Sequence, residues 1–450
     1  MNPVIIIPTY VGGKRKTPSY QVATTYDHVT PLTHQGELAR CLTSLVDSGV
    51  TTPVILLVVA EPGVEREATQ KVGDIASGFA DALSITLIDG HTLKLFYQRT
   101  EELGLSPLVR DGISLTGYGA LRNFGLVVAA VQGYTEVVFI DDDEVVADPA
   151  FMETALYGLG KLTQKGIPIL VKTGFHTNRK GDWKSSQKTA WYNRFWNQGA
   201  LFNEWISAAM KGPRLSSSNS LYGGLVAIHR EAFRRVSFDP WIPRGEDLDY
   251  LINLHMYGGG VWFDNQWTII HLPPAERSEA QRFRQDIYRW IYEHRKLEYS
   301  RSQIDLLQIQ PQTLDPYPGP FLGRSISRKV FLTALLRMVG RPRDREGYFL
   351  AAMAAQREAK AYAETFCARY FEFQLGWPQV MAAFENDLEL RTLFGVPTLV
   401  TPVTLGEADE ANRAEEPLLA QQATEDASQT PQPSEDTLLD YDLDHWALEE

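Results

Sequence analysis

Val137-Val138-Phe139-Ile140-Asp141-Asp142-Asp143-Glu144 is an apolar run that stops abruptly in four acids. β-Branched and aromatic residues without a polar interruption read as a strand buried on both faces, as in a parallel sheet. Ligands of such sheets gather at the carboxyl ends of strands. In extended chain alternate side chains share a face, so this reading puts Asp141 and Asp143 together and turns Asp142 aside. Two carboxylates so placed suit a hard divalent cation that also holds phosphate oxygens. A second reading stands beside it. Acids after a strand also make a solvated turn or cap the next helix, which Asp148-Pro149 would open.

Upstream, Val4-Ile5-Ile6-Ile7 is an apolar first strand, expected to stop in a turn at Pro8-Thr9-Tyr10. Residues 11–33 read as a long loop, and loops of that length in compact domains usually carry function or move. Leu38, Cys41, Leu42 and Leu45 keep helical spacing, and residues 53–60 form a second buried strand that ends in Glu61-Pro62-Gly63. A helix over 65–82 and a strand over 84–88 continue a β-α-β order, which implies parallel strands with right-handed crossovers. Gly117-Tyr118-Gly119-Ala120-Leu121-Arg122-Asn123 then opens a helix towards Gln132. Its glycines let backbone approach a ligand and its N-terminus favours anions, although the full dinucleotide fingerprint is absent.

Downstream, residues 167–172 read as a strand. The stretch 175–221 is rich in aromatics (Trp183, Trp191, Trp196, Trp205), which fill a core or make a platform for sugar rings. Tyr222-Gly223-Gly224 leads into a strand and a short helix at Glu231. Glu246, Asp247 and Asp249 crowd the first turn of another helix, where the helix dipole favours acids. Two strands are expected at 260–265 and 268–271. Beyond Glu276 the periodicity is helical, with Phe283, Ile287, Ile291 and Tyr292 on one face.

The length of 450 residues calls for two domains or one large domain with an appendage. No apolar run approaches the roughly 20 residues that span a bilayer, the segment 330–336 included, so no transmembrane segment is expected. The start of the chain has no basic leader, and a cytoplasmic location follows as an expectation. Cys41 and Cys367 stand in unrelated segments and support neither a disulfide framework nor a zinc site. Residues 406–450 hold 14 acids against one base, Arg413, a difference that equals the net charge of −13 of the whole chain. This tail is expected to be disordered, with a possible protein partner for its apolar and acidic end at 438–448, and the remainder is neutral. Nucleic acid is not expected as a partner.

Taken in order, these motifs resemble the nucleotide-sugar glycosyltransferases of the GT-A fold, closest to family two, over residues 2–274. The resemblance implies an α/β architecture with a Rossmann-like mixed, mostly parallel sheet flanked by helices. It divides the chain into a GT-A domain (1–274), a C-terminal helical appendage (275–405) and the acidic tail (406–450). It implies that Pro8, Thr9, Tyr10, Glu61, Gly119, Arg122, Asn123, Asp141 and Asp142 bind a UDP- or GDP-sugar donor. Asp141, Asp143 and His271 would hold Mn2+ or Mg2+, which neutralises the leaving diphosphate. Gly223, Gly224 and Trp241 would meet a sugar or glycan acceptor. Asp247 would take the acceptor proton in an inverting hexosyl transfer while Glu246 orients substrate. Retaining relatives that glycosylate small acids or phosphorylated acceptors share this layout. A sugar-phosphate nucleotidyltransferase, suggested by the Gly-rich residues 12–18, and a non-catalytic scaffold are the rival classes.

Overall fold

The computed structural model describes residues 1–13, 30–34, 36–186, 190–273, 279–341 and 344–395. Lys14, Arg15 and Lys16 and the acidic tail lie outside them. Ten strands form one sheet: β1 Pro3–Gly12, β2 Thr30–Pro31, β3 Val54–Ala60, β4 Ile85–Ile88, β5 Glu136–Phe139, β6 Glu144–Val145, β7 Val171–Thr177, β8 Leu215–Ser217, β9 Val226–His229 and β10 Trp262–His271. Their order is β4-β3-β1-β5-β9-β7-β10-β6, with β2 beside β1 and β8 beside β10. The ladders among β4, β3, β1 and β5 are parallel, and β9 runs antiparallel to both β5 and β7. The expected mixed, mostly parallel sheet flanked by helices is what the chain forms.

Helices cover both faces: α1 Leu38–Asp47, α2 Glu65–Ser77, α3 Gly90–Glu102, α4 Pro107–Gly112, α5 Tyr118–Val131, α6 Phe151–Leu156, α7 Gln198–Ala209, α8 Arg230–Phe233 and α9 Glu246–Met256. The alternation in β1 shows why this first strand is apolar throughout. Val4 and Ile6 enter the core beneath α3 and α5, while Ile5 and Ile7 enter the core beneath α1 and α2.

β1 does not stop at Pro8 as expected but runs on to Gly12, pairing Pro8 with Leu57 and Tyr10 with Val59. The hydrogen bond from Ile140 N–H to Ile6 O shows which edge Ile6 turns towards β5. Pro8, two residues on, turns the same edge outward where β5 has already ended, so its missing N–H breaks no ladder bond. The strand expected at 167–172 sits later, at β7. Pro168 makes only an isolated bridge with Leu162, and the ladder with β9 starts at Val171. The two strands expected at 260–271 are one, β10, whose register against β7 shifts between Phe263 and Thr268.

After β10 the described chain is helical: α10 Glu279–Ser300, α11 Gly319–Leu322, α12 Ile326–Gly340, α13 Arg345–Leu350, a π-turn Ala351–Ala355, α14 Gln356–Glu385 and α15 Leu388–Gly395. These helices share one hydrophobic core with α5 and α9: Phe283, Trp290, Tyr370 and Trp377 pack in the same cluster as Phe124 and Tyr250. The compact body therefore runs from Met1 to Thr398.

Candidate active site

The four acids beyond β5 form a turn, closed by a 3.1 Å hydrogen bond from Glu144 N–H to Asp141 O. The face expected to be shared by Asp141 and Asp143 does not form, because side chains alternate only while backbone stays extended. Each acid meets a partner on a different element. Asp141 Oδ1 accepts from Arg122 Nη2 of α5 at 3.2 Å. Asp142 Oδ2 accepts the Thr9 hydroxyl of β1 at 2.7 Å. Asp143 Oδ2 lies 3.3 Å from His271 Nε2 at the end of β10. Glu144 Oε1 lies 2.9 Å from His176 Nε2 of β7, while its Oε2 accepts the Asp141 N–H at 2.9 Å. Three of the acids are buried, and Asp141 is the open one, its side chain 36% exposed. The turn reading of the sequence is thus correct in backbone and wrong in solvation.

Arg122 connects this turn to α9. Its buried guanidinium sits 4.9 Å over the Phe139 ring and donates from Nε to Glu246 Oε1 at 3.2 Å. Gly223 and Gly224 leave the room this needs. A Cβ on Gly223 would stand 2.8 Å from Arg122 Nη2, and one on Gly224 would stand 2.3 Å from Glu144 Oε1. The two glycines expected at an acceptor loop therefore pack on the buried charges themselves.

Burial dominates the electrostatics. It pushes the Glu246 carboxyl up to about 7, with Arg122 opposing and Asp247 and Asp141 adding to the rise. Glu144 is driven well above the carboxylate range by burial, with repulsion from Asp141 and Asp143 adding to it. His176 is driven well below its ordinary value by burial and by His271. Both shifts favour uncharged partners, a protonated carboxyl beside a neutral imidazole. Arg122 itself is held above its ordinary value: burial lowers it, but Asp141 and Glu246 outweigh that.

α9 is set by the appendage. Gly245, at φ +74°, caps the helix in the left-handed region. Arg289 of α10 reaches past it, with Nη2 3.7 Å from Asp247 Oδ1. That oxygen also accepts the Leu248 N–H at 2.7 Å, and the Asp247 side chain stays 27% exposed. Two helical turns further along α10, Lys296 Nζ lies 2.7 Å from both Asp239 Oδ2 and Asp249 Oδ1, all three groups buried.

Of the other expected site residues, Tyr10 is half-buried with its ring 6.0 Å from that of Tyr118, and Glu61 accepts the Gly13 N–H at 3.0 Å. Asn123 is not presented to a ligand. Its amide donates to Gly112 O and Phe238 O and accepts from Phe238 N–H, which ties α5 to the end of α4 and to the loop after α8. Gly119 is likewise a packing glycine, since a Cβ there would fall 1.9 Å from Asp239 O. Trp241 lies away from the four acids, in a cavity of about 440 Å3 lined also by Tyr97, Arg110, Ser114 and Arg369. Trp196 and Trp205 fill core, whereas Trp191 is exposed. His176 and Lys296 carry no motif and were not picked out by sequence. The one available signal for Glu144 was its place in the acidic run.

Among the described residues no group of three or more His, Cys, Asp or Glu is arranged to hold a metal ion. Of the expected trio, Asp143 and His271 lie together, while Asp141 pairs with Arg122. The pair itself fits. Two ligands about 2.1 Å from one cation at right angles stand about 3.0 Å apart, and Mg2+ or Mn2+ completes its shell with water and substrate phosphate.

No protein-family model and no curated protein matches the chain. Solved structures that align with it include a mannosyltransferase from Pyrobaculum calidifontis in complex with GDP-Man and Mn2+, at 14% identity and TM-score 0.37, over 89% of this chain and 88% of that one. Glucosyl-3-phosphoglycerate synthase from Mycobacterium tuberculosis in complex with phosphoglyceric acid aligns at 17% identity and TM-score 0.34, over 64% of this chain and 78% of that one. GalNAc-T7 with UDP, GalNAc and Mn2+ aligns at 12% identity and TM-score 0.35, over 79% of this chain and 56% of that one. At these scores the functional reading rests on the residues of the site.

Proposed function

We propose that the chain transfers a hexose from a UDP- or GDP-sugar to a hydroxyl of a sugar or glycan acceptor, with inversion. The observation that carries this reading is Arg122, whose single guanidinium joins Asp141 after β5 to Glu246 at the start of α9. Glycosyl transfer needs one group of residues for a departing diphosphate and another for an incoming hydroxyl. Arg122 holds the two candidate groups against each other.

In this reading Asp143 and His271 hold Mn2+ or Mg2+, which when bound neutralises charge on the diphosphate. Arg122 adds a positive charge that no working pH removes. Thr9 pins Asp142, so the turn keeps its shape when the open acid, Asp141, meets the donor. Asp247 takes the proton of the acceptor hydroxyl, its carboxylate oriented by Arg289 and the Leu248 N–H. Glu246 orients the acceptor or donor hydroxyls from the same helical turn.

The test is a panel of UDP-, GDP- and dTDP-sugars incubated with the chain and Mn2+, with chelator as control. Chelator-sensitive release of nucleoside diphosphate from one donor is expected, and no release from any donor overturns the reading. The anomeric configuration of the product separates inversion from retention. Release of diphosphate from a nucleoside triphosphate and a sugar phosphate assigns the chain to the nucleotidyltransferases.

A further inference from the structure

Helix α12 buries an arginine and exposes an apolar stripe. Its inward face carries Ile326 and Val330 but also Thr333, Ala334 and Arg337, all buried. Arg337 donates to Asn193 Oδ1 at 2.9 Å and lies 4.5 Å over the Phe283 ring. The outward face carries Phe331, Leu335 and Val339, exposed by 41%, 41% and 68%. Four-residue spacing puts these three on one stripe. An ordinary surface helix would place Phe and Leu inward and Arg outward. The π-turn and α13, which pack against α12, add the exposed side chains Phe349, Leu350 and Met353. Among the described residues nothing covers these six, and contiguous exposed apolar groups mark a surface that meets a partner.

Charge selects the partner. From Arg324 to Arg343 the sequence has six bases and no acid. Arg324 and Arg328 are exposed at the amino end of the stripe and Arg345 beyond its carboxyl end. An anionic surface would be matched. An apolar stripe flanked by arginines is the pattern of a helix that lies in the plane of a bilayer interface, and the 15 residues of α12 are too few to cross one.

We propose that α12, with α13 and the turn after it, is a membrane-docking face that binds bilayers containing anionic phospholipid. Phe331, Leu335 and Val339 enter the boundary between headgroups and acyl chains, while Arg324 and Arg328 pair with lipid phosphates. The proposal is independent of the reaction assigned above.

Co-sedimentation of the full chain with vesicles tests it, using phosphatidylcholine with phosphatidylglycerol against phosphatidylcholine alone. Binding to the anionic vesicles is expected, with most of it lost in about 0.5 M salt. The triple variant Phe331→Ser, Leu335→Ser, Val339→Ser and the double variant Arg324→Glu, Arg328→Glu should each lower the partition coefficient about tenfold or more. These side chains point outward, so circular dichroism and melting should match the wild type. If the triple variant fails to fold, Leu335→Lys alone takes its place. No binding of the wild type to anionic vesicles, or equal binding by wild type and variants, overturns the proposal. So does a wild-type dimer that the triple variant converts to monomer.

Discussion

Arg289 occupies the space that a side chain on Gly245 would need: a Cβ built there falls 2.1 Å from the guanidinium carbon. The residue that opens α9 and a residue of the appendage are thus fitted to each other at van der Waals distance. The carboxylate assigned as base, Asp247, stands two positions beyond that contact.

Substituting this glycine should cost more than its backbone angle accounts for. Gly258 has a similar φ of +78° and nothing but one Leu307 methyl at 4.0 Å, so Gly258→Ala reports the backbone cost alone, about 1 kcal/mol. Gly245→Ala adds the displacement of Arg289 and should lose about 2 to 4 kcal/mol in urea unfolding. Equal losses for the two variants would show that Arg289 moves aside freely.

Arg122→Met removes the one base shared by Asp141 and Glu246. Breaking a buried pair on one side typically costs about 3 to 5 kcal/mol, because the remaining charge is left without compensation. Transfer should fall at least about a hundredfold, since the positive charge facing the diphosphate is lost with it. Arg122→Lys keeps the charge but not the fork that spans two carboxylates, and should recover stability in part. A fully active Met variant would remove the observation on which the functional reading stands.

The pH dependence follows from Glu246. Its carboxyl is pushed up to about 7 in the folded chain from an ordinary 4.5. Between those values the folded protein holds a proton that the unfolded chain has released. The stability this contributes is complete below pH 4.5 and is lost as pH rises through 7. If the ionised form orients substrate, kcat/KM should rise with a midpoint near 7. Glu246→Gln should remove that limb and flatten the stability change over the same window. An unchanged profile in the Gln variant would place the titrating group elsewhere.

Metal binding separates the three expected ligands. Loss of outer-shell partners commonly costs about 10 to 100-fold in affinity, and loss of a ligand should cost at least as much. Mn2+ titration should show that loss for Asp143→Asn and for His271→Ala. Asp141→Asn should change Mn2+ affinity by less than about threefold, because its partner in the structure is Arg122. An equal loss for Asp141→Asn would restore the trio read from the sequence.

The parts of the fold that were legible are those whose side chains repeat. β1, β3 and β5 are buried on both faces and show it as continuous apolar runs, and the buried faces of α1 and α10 appear at helical spacing. The bend after β5 was not legible, because four adjacent acids give the same pattern whether extended or turned. Asn123 illustrates a second limit. A residue beside a candidate arginine has the composition of a site and, here, the hydrogen bonds of a tie between α4 and a loop. His176 and Lys296 are set by contacts from distant parts of the chain, and nothing in their neighbours announces either.

Lys296 bears on how the molecule is made. Asp239 and Asp249 are buried around that one ammonium, and burial already pushes Asp249 up to about 6 with the partner present. During synthesis every strand of the sheet leaves the ribosome before Lys296 does. Until it arrives the two carboxylates lack the ammonium that pairs with them in the folded protein, and α9 is held only by Arg122 and the core beneath it. Completion of the acidic start of α9 is thereby delayed until α10 has been translated.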